Sequence, residues 1–202
     1  MKFDLFKEII ERTGGDIYLG VVGPVRTGKS TFIKKFMEKL VLPNIDNPQI
    51  LERTKDELPQ GSAGKTIMTT EPKFIPDEAI EIKLAENIHM NVRLVDCVGY
   101  MVPEAIGYDD EGKQRMVYTP WFDEAIPFEE AAEIGTRKVI QDHSTIGIVV
   151  TTDGTITEIP REQYLDAEMR VINELKEIGK PFVVILNSAR PFSPGALQLH
   201  EE

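Results

Sequence analysis

Eight consecutive residues, Gly23-Pro24-Val25-Arg26-Thr27-Gly28-Lys29-Ser30, match G-x-x-x-x-G-K-[ST]. Small residues at this spacing let a backbone wrap a phosphate, so that successive N–H groups point inward. The lysine, Lys29, reaches the β- and γ-phosphates of a nucleoside triphosphate, and the Ser30 hydroxyl coordinates Mg²⁺. Gly23, Arg26, Thr27, Gly28, Lys29, Ser30 and Thr31 are the expected nucleotide contacts. Chance gives such a match in roughly 1% of chains of this length. The bland alternative is a glycine-rich turn with an exposed lysine.

Two further stretches fit the same chemistry. Val92-Arg93-Leu94-Val95-Asp96-Cys97-Val98-Gly99 is an apolar run that ends in a carboxylate, with glycine three places later. Asp96 stands where a Mg²⁺-holding aspartate belongs, and the Gly99 N–H suits a γ-phosphate. D-x-x-G alone is a weak signal; downstream of a phosphate loop it is a second vote. Between the two lies Gly64-Lys65-Thr66-Ile67-Met68-Thr69-Thr70-Glu71-Pro72. Nucleotide switches draw a threonine from this loop, and Thr69 and Thr70 are the candidates, with Thr66 behind them. Any one of these threonines in isolation is an ordinary strand edge. The expected catalytic set is Lys29, Thr69, Thr70 and Asp96, and the expected Mg²⁺ set is Ser30, Thr70 and Asp96.

The base is read from a later strand. In Ras-like GTPases that strand ends in N-K-x-D, whose aspartate accepts two hydrogen bonds from guanine. Here the strand is followed by Asn187-Ser188-Ala189-Arg190. A guanidinium has only donors and cannot replace a carboxylate acceptor. A site built to hydrogen-bond a group typically discriminates by ~10⁴-fold or more, so Arg190 favours ATP over GTP, while Asn187, whose amide both donates and accepts, can serve either base. Tyr100 occupies the place where a water-positioning glutamine often follows D-x-x-G, and slow turnover is the expectation.

The elements that hold these residues follow from hydrophobic period. Residues 16–22 and 91–95 read as buried strands, 29–42 as a helix with Phe32, Ile33, Phe36, Met37 and Leu40 on one stripe, and 43–65 as loop. Residues 73–75 and 79–84 read as a hairpin. Residues 128–142 read as a helix, 145–151 as a strand, 162–178 as a helix capped by Gly179, and 181–186 as a strand. The alternation predicts an α/β, three-layer P-loop fold with a mostly parallel sheet and GTPase-like topology. Residues 1–15, with Phe3, Phe6, Ile9 and Ile10 at helical spacing, read as an amphipathic docking helix before a nucleotide-binding domain over 16–202. Residues 100–127, rich in proline, glycine and aromatics, read as an ordered insertion with a turn at 109–112.

Composition excludes several classes. The 202 residues carry 23 Lys and Arg against 34 Asp and Glu, a formal net charge of −11, which opposes a nucleic-acid partner. A single cysteine, Cys97, rules out an intrachain disulfide, and three scattered histidines make a poor metal set. No apolar run approaches the ~20 residues that span a bilayer, and a cytoplasmic protein is expected.

The run 11–36, the stretches 56–74 and 92–100, and the segments 119–140 and 144–191 together resemble stage IV sporulation protein A, a family of spore-coat morphogenetic ATPases. Lys65-Thr66-Ile67-Met68-Thr69-Thr70-Glu71-Pro72 and His143-Ser144-Thr145-Ile146-Gly147 are its most distinctive matches. The resemblance implies a translation-factor-related P-loop fold that hydrolyses ATP with Mg²⁺ to drive self-assembly. It implies a shell on the outer forespore membrane in the mother-cell cytoplasm. A small amphipathic membrane-anchoring protein and other coat proteins are the implied partners. Members of the family are more than twice as long, so the chain reads as a fragment lacking the last helix and strand of a GTPase core. The alternatives are a GTP-binding switch that signals to an effector, and a module that binds nucleotide only for stability.

Overall fold

The computed structural model describes residues 15–59, 71–85, 88–103, 105, 109–110 and 113–201. Thr66, Thr69, Thr70, Tyr108 and the proposed helix before Gly15 lie outside them. Five strands form the central sheet: β1 (Asp16–Val22), β2 (Lys73–Ala85), β3 (Ile88–Asp96), β8 (Ile146–Thr152) and β9 (Phe182–Asn187). Their spatial order is β2-β3-β1-β8-β9. β3, β1, β8 and β9 run parallel, and β2 is the antiparallel edge. The expected α/β fold with a mostly parallel sheet is therefore the one observed.

Strand alternation divides the core. Ile17 and Val21 of β1, Val92 and Leu94 of β3, and Ile148 and Val150 of β8 point to one face. There they meet Ile33 of α1 (Lys29–Phe36) and Met37 and Val41, where the helix continues as a π-helical turn. Val22, Val95, Cys97 and Val149 point to the other face. They pack on Val139 and Ile140, just past α3 (Phe128–Lys138), and on Val171 and Leu175 of α4 (Leu165–Glu177). The carboxyl ends of β1, β3, β8 and β9 lie along one edge. Strand order reverses at β1, and that crevice is where open parallel sheets bind ligands.

Three expectations need correction. Residues 73–75 and 79–84 are not a hairpin; both belong to β2, which pairs with β3 across a register shift between Ile75 and Ile80. Residues 43–65 are not all loop: α2 (Pro48–Glu57) starts there, with the Asn47 side chain accepting from Gln49 and Ile50 N–H groups and Pro48 in the first turn. The α1 rod also runs two residues past Leu42, through a 3₁₀ turn at Leu42–Asn44.

The 100–127 stretch carries two small antiparallel pairs. β4 (Asp109–Asp110) pairs with β5 (Lys113–Gln114), and β6 (Met116–Thr119) pairs with β7 (Phe122–Pro127); Asp109 and Asp110 of the expected turn are thus strand residues, and Glu111 and Gly112 lie outside the described residues. Its aromatics divide. Tyr100 is buried, the Trp121 ring lies under Lys138 Nζ, and Tyr118 is 76% exposed. α5 (Pro194–Glu201) follows β9.

Candidate functional site

β1 leads into the phosphate loop and α1 leads out of it, as the motif requires. Gly28 takes φ +94° at the helix start, and a Cβ there would lie 2.5 Å from Asn187 Nδ2. A side chain would be strained and would also displace the Asn187 side-chain amide. Arg26 is also left-handed, at φ 61°. Thr27 is fully buried, and its Oγ1 donates to Pro24 O at 3.0 Å, tightening the loop. Thr31 is exposed in the first turn of α1.

Lys29 is buried, and its Nζ donates to Pro24 O at 2.6 Å and to Gly23 O at 3.4 Å. Burial pulls its pKa down, while the neighbouring Cys97 and Asp96 push it back up. The ammonium is aimed into the concave side of the loop, where a polyphosphate would compete for it.

Asp96 closes β3. Alternation puts it on the same face as Val92 and Leu94, the face that α1 covers, so it meets the start of that helix. Ser30 Oγ donates to Asp96 Oδ2 at 2.9 Å. The other oxygen, Oδ1, is buried and has no hydrogen-bond partner among the described residues. Burial raises the Asp96 pKa, against Lys29, Ser30 and the Cys97 N–H, which lower it. An orphaned carboxylate oxygen beside a hydroxyl is a hard-oxygen donor set, and it fits Mg²⁺.

Gly99 lies over this centre at φ +94°. A Cβ on it would fall 2.2 Å from Gly23 O and 2.6 Å from Lys29 Nζ, so only glycine fits. Its N–H donates to Thr136 Oγ1 of α3 at 3.1 Å. The next residue is stitched to the loop: Val25 N–H donates to Tyr100 O at 2.9 Å, and Tyr100 N–H donates to Gly23 O at 3.3 Å. The Tyr100 hydroxyl donates to Glu174 of α4, and the Arg170 guanidinium lies 4.2 Å from the Tyr100 ring centroid. Burial and the Glu174 carboxylate raise the Tyr100 pKa. Arg170 is held by Glu133 through two hydrogen bonds, at 2.6 and 2.8 Å. Tyr100 is thus fixed in the core.

On the base side, Asn187 Nδ2 donates to Thr27 O at 3.0 Å, bracing the phosphate loop against β9. Ser188 Oγ accepts from Arg190 N–H at 2.9 Å, and the Arg190 residue is exposed. Thr155 Oγ1 accepts from Ala189 N–H at 2.9 Å and donates to Asp153 at 2.6 Å, which ties the ends of β8 and β9 together.

The structure therefore brings Gly23, Thr27, Gly28, Lys29, Ser30, Asp96, Gly99 and Asn187 together. Thr69 and Thr70 lie outside the described residues. Sequence reasoning missed Thr136 and the Tyr100 anchors, Glu174 and Arg170. A linear signal existed only for Thr136, which sits on the small buried stripe Phe128, Ala131, Ala132, Gly135 and Thr136.

A family model described as "Stage IV sporulation protein A, ATPase domain" matches residues 1–202. Curated proteins named "Stage IV sporulation protein A" are 65% identical over 200 residues in Bacillus anthracis and 66% over 193 residues in Bacillus subtilis (strain 168). Another, in Clostridioides difficile (strain 630), is 59% identical over 202 residues. The alignments cover 99%, 96% and 100% of this chain but 41%, 39% and 41% of those proteins. The chain spans about two fifths of the length of these relatives. With a phosphate loop, a carboxylate at the end of β3 and the parallel sheet that positions both, this chain belongs to the stage IV sporulation protein A family, in the region of its ATPase domain.

Proposed function

We propose that this chain binds ATP with Mg²⁺ and hydrolyses it to ADP and phosphate, and that in the whole protein this turnover drives self-assembly of a spore-coat layer. The observation that carries the reading is the triangle of buried Lys29, the Ser30–Asp96 hydrogen bond of 2.9 Å and the orphaned Asp96 Oδ1. Ser30 Oγ and the Asp96 carboxylate would hold Mg²⁺. That ion, when bound, neutralises charge on the β- and γ-phosphate oxygens.

The chain's own residues do the rest. Lys29 exchanges its loop carbonyls for phosphate oxygens and stabilises charge there. The Gly99 N–H, beside Lys29 in the same turn, is read as the donor to the γ-phosphate. Tyr100 cannot orient the attacking water, because its hydroxyl and its backbone are both committed elsewhere. We assign water orientation to Thr69 and Thr70, which precede β2 in the sequence and lie outside the described residues. Arg190 stands where guanine would need an acceptor, and no observation favours the GTP switch.

Self-assembly, docking of a small amphipathic membrane-anchoring coat protein and of other coat proteins, and a place in the mother cell at the forespore surface follow from the family resemblance. Among the described residues no helix is long and apolar enough to cross a membrane. The test is hydrolysis by the Thr69→Ala/Thr70→Ala double variant. Its turnover should fall more than its ATP affinity. A large loss of affinity with turnover intact would make this loop a binding element only.

A further inference from the structure

We propose that Thr136 is a positioning residue that holds the Gly99 amide until a γ-phosphate takes it, and so sets how strongly the site prefers ATP to ADP. The inference rests on the reading of Gly99 as a γ-phosphate donor.

The polarity of the contact is fixed. Thr136 is fully buried, and its hydroxyl donates to Ala132 O, one helical turn back, at 2.8 Å. A threonine hydroxyl has one proton to give. With that proton on Ala132, the oxygen can only accept, and it accepts from Gly99 N–H at 3.1 Å. Back-bonding to the helix would satisfy the threonine by itself; the Gly99 contact is additional to it.

The amide is hinged in a short segment. On one side, Cys97 Sγ donates to Val21 O at 3.5 Å. On the other, Tyr100 is clamped by Gly23, Val25 and Glu174. Rotation is confined to the peptide between Val98 and Gly99. Glycine at φ +94° tolerates it, and the Lys29 ammonium is adjacent. Thr136 and a γ-phosphate therefore compete for one N–H group.

Linkage gives the consequence. Removing the hydroxyl leaves the Gly99 N–H with only the weak Cys97 thiol acceptor, close to unpaired, in the unliganded and ADP-bound protein, but not when a γ-phosphate accepts it. Leaving a buried donor unpaired costs enough to shift an equilibrium by roughly 5- to 100-fold. ATP affinity should rise by that factor while ADP affinity stays the same. A threonine that only filled space in α3 would move stability and leave the ratio alone.

The experiment measures dissociation constants of β,γ-imido-ATP and ADP, each with Mg²⁺, for full-length wild-type protein and its Thr136→Val, Thr136→Ala and Thr136→Ser variants. Wild type should prefer the triphosphate analogue. Valine should raise that preference roughly 5- to 100-fold, serine should restore the wild-type ratio, and alanine carries the valine prediction if valine fails to fold. A wild-type preference left unchanged by both valine and alanine overturns the role of Thr136 alone. A wild-type ratio near one overturns the γ-phosphate reading of Gly99, and the proposal with it.

Discussion

In the proposed ATP site Lys29 supplies a buried ammonium, so Lys29→Ala should weaken ATP binding by about 10- to 100-fold or more. The melting temperature should move little, because the Nζ hydrogen bonds go to loop carbonyls and burial opposes the charge that Asp96 favours. Isothermal titration with the ATP analogue reads the first effect and calorimetry the second. Asp96→Asn should lower Mg²⁺-dependent hydrolysis by at least ~100-fold while changing nucleotide binding in EDTA far less. A pH dependence accompanies it. Burial holds the Asp96 pKa above its ordinary value, so the carboxylate is protonated sooner as pH falls. Protons then compete with Mg²⁺ for this carboxylate, so the Mg²⁺ concentration needed for half-maximal hydrolysis should rise as pH falls, whereas binding in EDTA should change less. At this scale the motif residues were legible, because phosphate chemistry fixes their types and spacing. The partners of Gly99 and Tyr100 were not. Gly99 meets Thr136 across 37 positions and Tyr100 meets Glu174 across 74, and no local pattern encodes contacts at that separation.

The strands and helices that hold the site were readable where burial makes one face or the whole run apolar, as in β1, α1, β3, α3, β8 and α4; β9 was read from its apolar run alone, since Val183 and Val184 are exposed. α2 was missed because it buries only Thr54 and so has no apolar stripe; its evidence is the Asn47 cap and the Arg53–Glu57 pair at 3.0 Å. β2 was read as a hairpin because Pro76 and Asp77 look like a turn, whereas its partner is the later strand β3. One consequence concerns the join between switch and sheet. Tyr100→Phe removes the hydroxyl bonded to Glu174, a hydrogen bond to a charged group worth about 1.5–3 kcal/mol. Thermal unfolding should shift down by about 3–12 °C for a chain of this size. Glu174→Gln should cost less, since an amide oxygen still accepts. Glu174 also pairs with Arg170 at 3.5 Å and Arg137 at 3.9 Å, so a Glu174→Gln loss as large as that of Tyr100→Phe would show that those ion pairs carry weight of their own.

Across the whole molecule, the parallel order β3-β1-β8-β9 gathers the phosphate loop, Asp96, Asp153 and Asn187 at one edge, although 164 positions separate Gly23 from Asn187. The alternation of strands and helices predicted that convergence, because helical crossovers make successive strands parallel and so put their carboxyl ends on one side. The edge positions of β2 and β9 could not be read the same way, since local period says nothing of sheet order. The net charge of −11 opposes a polyanionic partner, so a nucleotide must be drawn in by local donors rather than by the global field. Base choice is where the sequence departs most from a GTPase, and it decides between the two nucleotides. Unlabelled ATP and GTP should therefore be competed against one labelled ATP analogue, with Mg²⁺, on wild type and on Lys29→Ala. ATP should displace the label at concentrations at least ~100-fold below GTP, and Lys29→Ala should not retain it. Equal displacement by GTP, or wild-type retention by Lys29→Ala, would contradict an ATP site at this loop.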